Sequence, residues 1–252
     1  MTYDIIGNIA IIKKDIETKK LAEARKLLTQ KNIKTVLEKV SDVKGRLRTI
    51  KTKYLAGEKT LITIHKENNC LFKLNIETCY FSPRLANERK EIALKVKNKD
   101  KVLVMFSGIA SFPIVIYKMA GPKQITAIEI SRECNKYAKE NLKLNKIPKN
   151  KINIIKGDVR KINKKLGKFD VIVMPRPNLR ESFLKEALKV SKKGTKIFYY
   201  GFCRDNELFE LKKQLINEVK KLKRKIKIIK TVKAGDIAPY KFRYRIEMKV
   251  LN

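Results

Sequence analysis

Apolar residues recur along this chain with two different periods, and each change of period marks a change of element. Residues 3–13 (YDIIGNIAIIK) are apolar runs on either side of Gly7-Asn8, which predicts two strands joined by a tight turn. Over residues 15–30 the spacing becomes helical, with Leu21, Ala24, Leu27 and Leu28 on one face. A short strand is predicted near 34–39. Residues 45–75 then read as all β in three runs, LRTIKTKYL, TLITIHKEN and CLFKLNI, with a turn at Gly57-Glu58. Residues 1–76 are therefore expected to form a small α+β domain.

From about residue 84 the two patterns alternate. A charged helix over 84–97 leads to strand KVLVMF, a helix over 111–120, strand QITAIEI and a helix over 132–145. Strand INIIKG, a helix-like stretch at 160–166, strand FDVIVMP and a helix near 180–192 follow, then Gly194 and strand KIFYYGF. A long basic helix over 205–223 precedes two final strands near 225–233 and 242–250. Short buried strands alternating with helices predict a doubly wound α/β domain over residues 77–252. A mostly parallel sheet closed by a C-terminal antiparallel pair is the Rossmann-like order of class I methyltransferases.

In such sheets the ligand sits at the carboxyl ends of the strands. Ser107-Gly108 follows the first of these strands, where glycine lets the backbone approach a ligand closely. Glu129 ends the second, where a carboxylate can accept from both hydroxyls of a ribose. Asp158 follows the third, where it can accept from an adenine amino group. An acid at a strand end is ordinarily just solvated, but three such positions in register point to a nucleoside. The turn S-G-I-A-S-F holds one glycine, against the G-x-G-x-x-G of a dinucleotide cradle, so a ligand without phosphates fits better.

Composition adds a partner. Lys plus Arg total 61 against 25 Asp plus Glu, a net charge of +36. The excess is spread along the whole chain, which favours a broad polyanion-binding face over a basic tail. The stretch 212–230 is by default a solvated face; as a phosphate-contacting surface it would make binding fall steeply with salt. Cys70, Cys79, Cys134 and Cys203 contain no CxxC pair, so buried thiols are expected and no metal site. His65 is the only histidine and is expected to pack or to make a structural hydrogen bond. No apolar run approaches membrane-spanning length, and the expectation is a cytoplasmic monomer that binds no membrane.

Several segments then become specific in combination: IIGNIAII at 5–12, KGRLRT at 44–49, TIHKENNCLFKLNI at 63–76, and above all YFSPRLANER at 80–89. They continue with VMFSGIASFPIVI at 104–116, AIEISRECNKYAKENLKLNKI at 127–147, FDVIVMPRPN at 169–178 and APYKFRY at 238–244. In this order they resemble the archaeal/eukaryal tRNA guanine-37 N1-methyltransferases over nearly the whole chain. The resemblance implies S-adenosylmethionine as cofactor and the anticodon loop of tRNA as substrate. Guanine N1 carries a proton at neutral pH, so its methylation needs a base and a donor for the charge appearing on O6. The resemblance assigns these roles to Glu88 and Arg48. Read from the residues alone, Glu88 in NERKE is a solvated glutamate, and Arg48 sits in a strand with Arg46, either being a phosphate contact.

The resemblance also places Arg84, Phe106, Ser107, Gly108, Glu129, Ile130, Asp158, Val159 and Met174 at the cofactor. It places Arg46, Tyr80, Arg89, Pro175, Arg176, Pro177, Pro239 and Tyr240 at the RNA, with Phe81 beside them. Two departures matter. Val104 stands where the family often carries Asp, and Met174-Pro175-Arg176-Pro177 stands where Asn-Leu-Pro is common. The second form resembles an archaeal subgroup of wyosine biosynthesis, which implies an alternative or added activity, methylation of C7 of the tricyclic wyosine precursor (4-demethylwyosine). Aminocarboxypropyl transfer and a non-enzymatic RNA-binding role are further alternatives. The resemblance begins at the segment that a tRNA-corner domain usually precedes, so weaker binding of whole tRNA, or a substitute surface, is expected.

Overall fold

The computed structural model describes residues 3–13, 20–41, 45–175 and 181–252. Strands β1 (Tyr3–Ile6) and β2 (Ile9–Ile12) form the expected hairpin. Helix α1 (Lys20–Leu28) crosses over to β3 (Thr35–Lys39), which lies parallel to β2, and β4 (Thr52–Gly57) returns antiparallel to β3. Ala10, Ile12, Ala24, Leu27 and Val36 fill the space between helix and sheet. β4 begins later than the apolar run suggested: residues 45–48 form a turn in which Gly45 and Arg48 are left-handed (φ 68° and 57°). Strands β5 (Ile62–Glu67) and β6 (Cys70–Asn75) pair only with each other.

The second sheet has β7 (Lys101–Met105), β8 (Gln124–Glu129), β9 (Ile152–Lys156), β10 (Phe169–Met174), β11 (Ser191–Cys203), β12 (Ile226–Ala238) and β13 (Lys241–Val250). Their order is β12-β13-β11-β10-β7-β8-β9, and only β13 runs against the rest. The mostly parallel sheet with its antiparallel end is as expected. Successive side chains on a buried strand go to opposite faces. Val102 and Val104 thus join the core under α2 (Ala86–Ala93), α3 (Ser111–Ala120) and α4 (Arg132–Leu144). Leu103 and Met105 join the one under α5 (Leu184–Lys189) and α6 (Leu208–Lys221).

Three helices are shorter than their charge pattern suggested. The stretch 84–97 is a 3₁₀ turn (Pro83–Leu85) followed by α2, because Pro83 fixes the first turn. The stretch 160–166 is two 3₁₀ turns, Val159–Lys161 and Lys164–Leu166, each started by an acidic or amide cap, Asp158 and Asn163. Helix α5 ends at Lys189 because β11 already pairs with β10 from Ser191.

The β5–β6 hairpin is held from both sides. On one side the Gly7 turn presses against it. A Cβ on Gly7 would lie 2.1 Å from Thr63 Oγ1, and its φ of 59° also demands glycine. The Gly7 N–H donates to His65 Nδ1 at 3.1 Å, the structural hydrogen bond expected of the lone histidine. On the other side two asparagines one turn apart on α4 act as a substitute strand. Asn145 accepts from Leu71 N and donates to Leu71 O; Asn141 does the same with Lys73. Buried backbone groups left without such partners are costly.

Beside them lies a buried ion pair. Arg89 on α2 is 1% exposed. Its Nε donates to one Glu67 oxygen, its second nitrogen donates to the other at 2.6 Å, and to the Ser82 carbonyl at 3.0 Å. Burial alone would raise the Glu67 carboxyl, but hydrogen bonds from His65 and Arg89 hold it below the usual range. Glu67→Gln leaves Arg89 buried and unpaired and is expected to cost about 3–5 kcal/mol in urea unfolding. The contribution of Glu67 is fully present above its unfolded pKa, near 4.3. It fades as pH falls through the lower folded value, so the variant should lose less stability than the parent below pH 4.

Candidate functional site

The carboxyl ends of the parallel strands open into a cleft roofed by the β3–β4 connection. Beside it lies a smaller slot that shares Arg46, Phe106 and Ile130 with the cleft. The loop after β7 makes the floor. Phe106 and Ala110 take left-handed conformations (φ 58° and 65°), as does Gly108 between them (φ 55°). A left-handed non-glycine residue costs of order 1–3 kcal/mol and persists only when its surroundings enforce it. Here the Ser107 N–H is tied to the Ile128 carbonyl at 3.0 Å, and the Phe106 ring meets Phe183 edge-on at 4.9 Å.

Glu129 is the hub. One oxygen accepts from the Gly108 N–H and the other from the Ser131 N–H, both at 2.8 Å. This ties the loop after β7 to the start of α4, which Ser131 caps by accepting from Cys134 N at 3.2 Å. Burial raises the Glu129 carboxyl, against the lowering effect of the backbone N–H groups of Ser131, Gly108 and Ile130. A carboxylate has about four acceptor sites, so acceptor capacity remains for a donor in the cleft. The buried Ser107 hydroxyl has no partner of its own. In the slot, Ile128, Ile130, Val159, Phe106 and Phe183 form apolar walls around one carboxylate, Asp158. Partial burial would raise Asp158, but the Arg160 N–H and the Arg46 guanidinium hold it low. Arg46 reaches it from the small domain, 112 residues away in sequence.

The other side of the cleft is basic and aromatic. The left-handed turn at Arg48 lays its guanidinium 4.1 Å over the Tyr80 ring, and its Nε is buried without a partner. Leu85, Pro175, Tyr200, Phe202 and Arg243 complete the wall. Glu88 lies behind this wall: it is 5% exposed, and one oxygen accepts from the Tyr200 hydroxyl at 2.7 Å and from Arg245 at 2.6 Å. Cys134 also faces the cleft, with its sulfur 3.0 Å from that of Cys79; all four cysteines are free and buried.

The structure thus brings Arg46, Arg48, Tyr80, Phe106, Gly108, Glu129, Ile130 and Pro175 to the cleft, and Asp158 and Val159 to the slot. Other expected residues lie elsewhere. Arg89 has its donors taken by Glu67 and Ser82, which leaves it inside the fold and away from any RNA. Arg84 pairs with Asp4 at the surface, outside the cleft. Phe81 is buried against Phe72 and His65. Met174 is buried in the core under α5. Tyr240, with Pro239, forms the tip between β12 and β13 and is 80% exposed. Arg176 and Pro177 lie outside the described residues. Arg48 is in a turn, not a strand, and Glu88 is buried, not solvated. Tyr200, Phe202 and Arg243 were missed, although alternation along KIFYYGF puts Tyr200 and Phe202 on one face at the strand end where ligands bind.

Comparison with known proteins gives two family matches: the TRM5/TYW2 methyltransferase domain over residues 63–229 and the TYW2 N-terminal domain over residues 1–60. The chain is 34% identical to tRNA (guanine(37)-N(1))-methyltransferase Trm5b of Pyrococcus abyssi, over 99% of this chain and 74% of that one. It is 33% identical to tRNA (guanine(37)-N(1))/4-demethylwyosine(37)-methyltransferase Taw22 of Nanoarchaeum equitans, over 100% of both. Among solved structures, M. jannaschii TYW2 in complex with AdoMet superposes with a TM-score of 0.77 at 25% identity, covering 100% of both chains.

The Glu129 geometry makes a pH prediction for adenosine binding, read by calorimetry. As pH falls through its raised value, the carboxylate gains a proton and loses acceptors. Affinity should therefore start to weaken above the pH near 4.3 where an exposed glutamate titrates. Glu129→Gln should remove that dependence and cost about 1.5–3 kcal/mol of binding at neutral pH. Glu133→Gln, on the exposed face of α4, should do neither.

Proposed function

The chain belongs to the TRM5/TYW2 methyltransferase family, and from that premise we propose that it moves a methyl group from S-adenosylmethionine to N1 of guanosine 37 in tRNA. The cleft fits the cofactor on its own chemistry: the Glu129 carboxylate at its lining can accept from ribose hydroxyls, and Asp158 sits among the apolar walls of the adjoining slot. When bound, S-adenosylmethionine supplies a methyl group already activated on a sulfonium. The protein's task is to orient the acceptor and remove its proton.

Arg48 offers that acceptor a permanent charge and a planar donor array held flat on Tyr80. It would stabilise the negative charge that develops on O6 as the N1 proton leaves. Glu88 is the group that finally holds the proton. The observation that carries this reading is convergence: Arg48 from the small domain, Tyr200 in contact with Glu88, and Glu129 from the large sheet meet at one cleft. A base in an anticodon loop enters such a cleft more cheaply than one in a duplex, because it has no pair to break. Residues 1–76 present the RNA, residues 77–252 hold the cofactor, and the net charge of +36 supplies phosphate contacts. The enzyme acts as a monomer in the cytoplasm. Among the described residues no helix is long and apolar enough to cross a membrane.

A second reading adds methylation of C7 of 4-demethylwyosine at the same position. It is favoured by the name of the N. equitans relative, matched over the full length of both chains, and by Met174-Pro175, where an amide side chain is replaced by a thioether buried in the core.

Incubation with methyl-labelled cofactor and tRNA, followed by nucleoside analysis, should yield N1-methylguanosine at position 37. Failure to find it on any tRNA would overturn the first reading. Precursor-bearing tRNA in the same assay decides the second by the presence or absence of a C7-methylated tricycle. Glu88→Gln should slow methyl transfer by about 10²–10⁴-fold, the usual worth of a general base, with cofactor affinity unchanged; equal rates would remove Glu88 from the reaction.

A further inference from the structure

Glu88 is poorly placed to meet a base directly. Both residues are buried, Glu88 at 5% and Tyr200 at 1% exposure, but Tyr200 lines the cleft and Glu88 does not. Oxygen Oε2 of Glu88 already receives two donors, the Tyr200 hydroxyl at 2.7 Å and Arg245 at 2.6 Å. The Arg245 side chain is fully buried and immobilised by two further carboxylates, Glu91 at 2.6 Å and Glu247 at 3.1 Å. For Glu88 to swing into the cleft it would have to desert a buried guanidinium and pass the Tyr200 ring.

Backbone register fixes the arrangement. Tyr200 on β11 and Arg245 on β13 are direct cross-strand partners, so both side chains rise from the same face of the sheet toward α2. Glu88 and Glu91, three residues apart on α2, meet them from above. Phe112 packs edge-on against the Tyr200 ring, at 6.2 Å between centroids.

From this we propose that Tyr200 is a catalytic residue that relays the proton from guanine N1 to Glu88. The inference rests on the reading above, that guanine N1 is the methyl acceptor. The N1–H bond breaks and its proton passes to the Tyr200 oxygen. The hydrogen that Tyr200 carried passes along its existing bond to Glu88 Oε2. The N1 electron pair then forms the bond to the methyl group as the sulfur–methyl bond breaks, and the sulfur keeps that bonding pair. Glu88 ends protonated and Tyr200 ends as it began. Burial and the neighbouring carboxylate push the phenol of Tyr200 well above its ordinary range, so a free phenolate does not accumulate and the two transfers are coupled.

The test uses single-turnover methyl transfer with saturating tRNA and cofactor. Tyr200→Phe keeps the ring and removes the relay; it should lower the rate constant about 100-fold. The tRNA KM and the cofactor affinity measured by calorimetry should stay as in the parent. A rate within three-fold of the parent overturns the relay, and so does a loss confined to KM. If the variant fails to fold, as shown by lost cofactor binding, the parent itself decides. In mixtures of light and heavy water, two protons in flight give a bowed dependence of rate on deuterium fraction, and a straight line for one proton overturns the proposal. A parent that makes no N1-methylguanosine defeats the functional reading and the relay together. A parent that makes it beside an equally fast Tyr200→Phe variant defeats the relay alone.

Discussion

A hairpin of two strands cannot satisfy its own outer edge, and the geometry of the cleft depends on how β5–β6 meets that constraint. The hairpin stands between the small sheet and the large one. Its β6 edge is completed by the side-chain amides of Asn141 and Asn145, and its β5 edge is held by the Gly7 loop. Through these contacts and the Glu67–Arg89 pair, the two halves of the chain are registered against each other at the level of single hydrogen bonds. That registration matters because the cleft draws its residues from both halves. Arg46 and Arg48 arrive from the β3–β4 connection and Glu129 from β8, and a shift of an ångström at the hairpin would be felt at both.

Much of this was legible in the chain because period reports burial. Alternation and buried runs identified every strand of the large sheet, and Gly108, Glu129 and Asp158, singled out at strand ends, line the cleft and its slot. What stayed hidden was long range. No local pattern says that Arg89 in a charged stretch will turn inward to meet Glu67, since the ion pair is made by a partner 22 residues earlier on another element. The same holds for Glu88, whose partners lie 112 and 157 residues later. Helix ends were overestimated where charged residues continued a helical rhythm, because proline and strand pairing, not rhythm, set the stops.

The cleft divides its labour by polarity. The side at the carboxyl ends of β7 and β8 is built from backbone N–H groups and carboxylates, with a strained loop after β7 held in shape by Glu129. The opposite side is built from guanidinium, phenol and aromatic faces. Arg46 spans the two, bound to Asp158 while lining both spaces. A polyanion approaching this molecule meets positive charge almost everywhere, so attraction alone cannot select a position on it. The cleft adds shape to that charge: it sets Arg46, Arg48 and Arg243 beside the rings of Tyr80, Phe106, Tyr200 and Phe202.

The cross-strand pairing of Tyr200 with Arg245 carries a consequence for how this fold can drift. Strand side chains alternate, so adding or deleting a single residue in β13 would turn Arg245 and Glu247 outward and bring their neighbours in. Strands β7 to β9, which carry Glu129 and the loops at Gly108 and Asp158, would be untouched. One such slip would leave a descendant with Glu129 and its loop intact but, on the proposed mechanism, without the means to take a proton from a purine. It would then be free to take up a reaction whose acceptor needs no base.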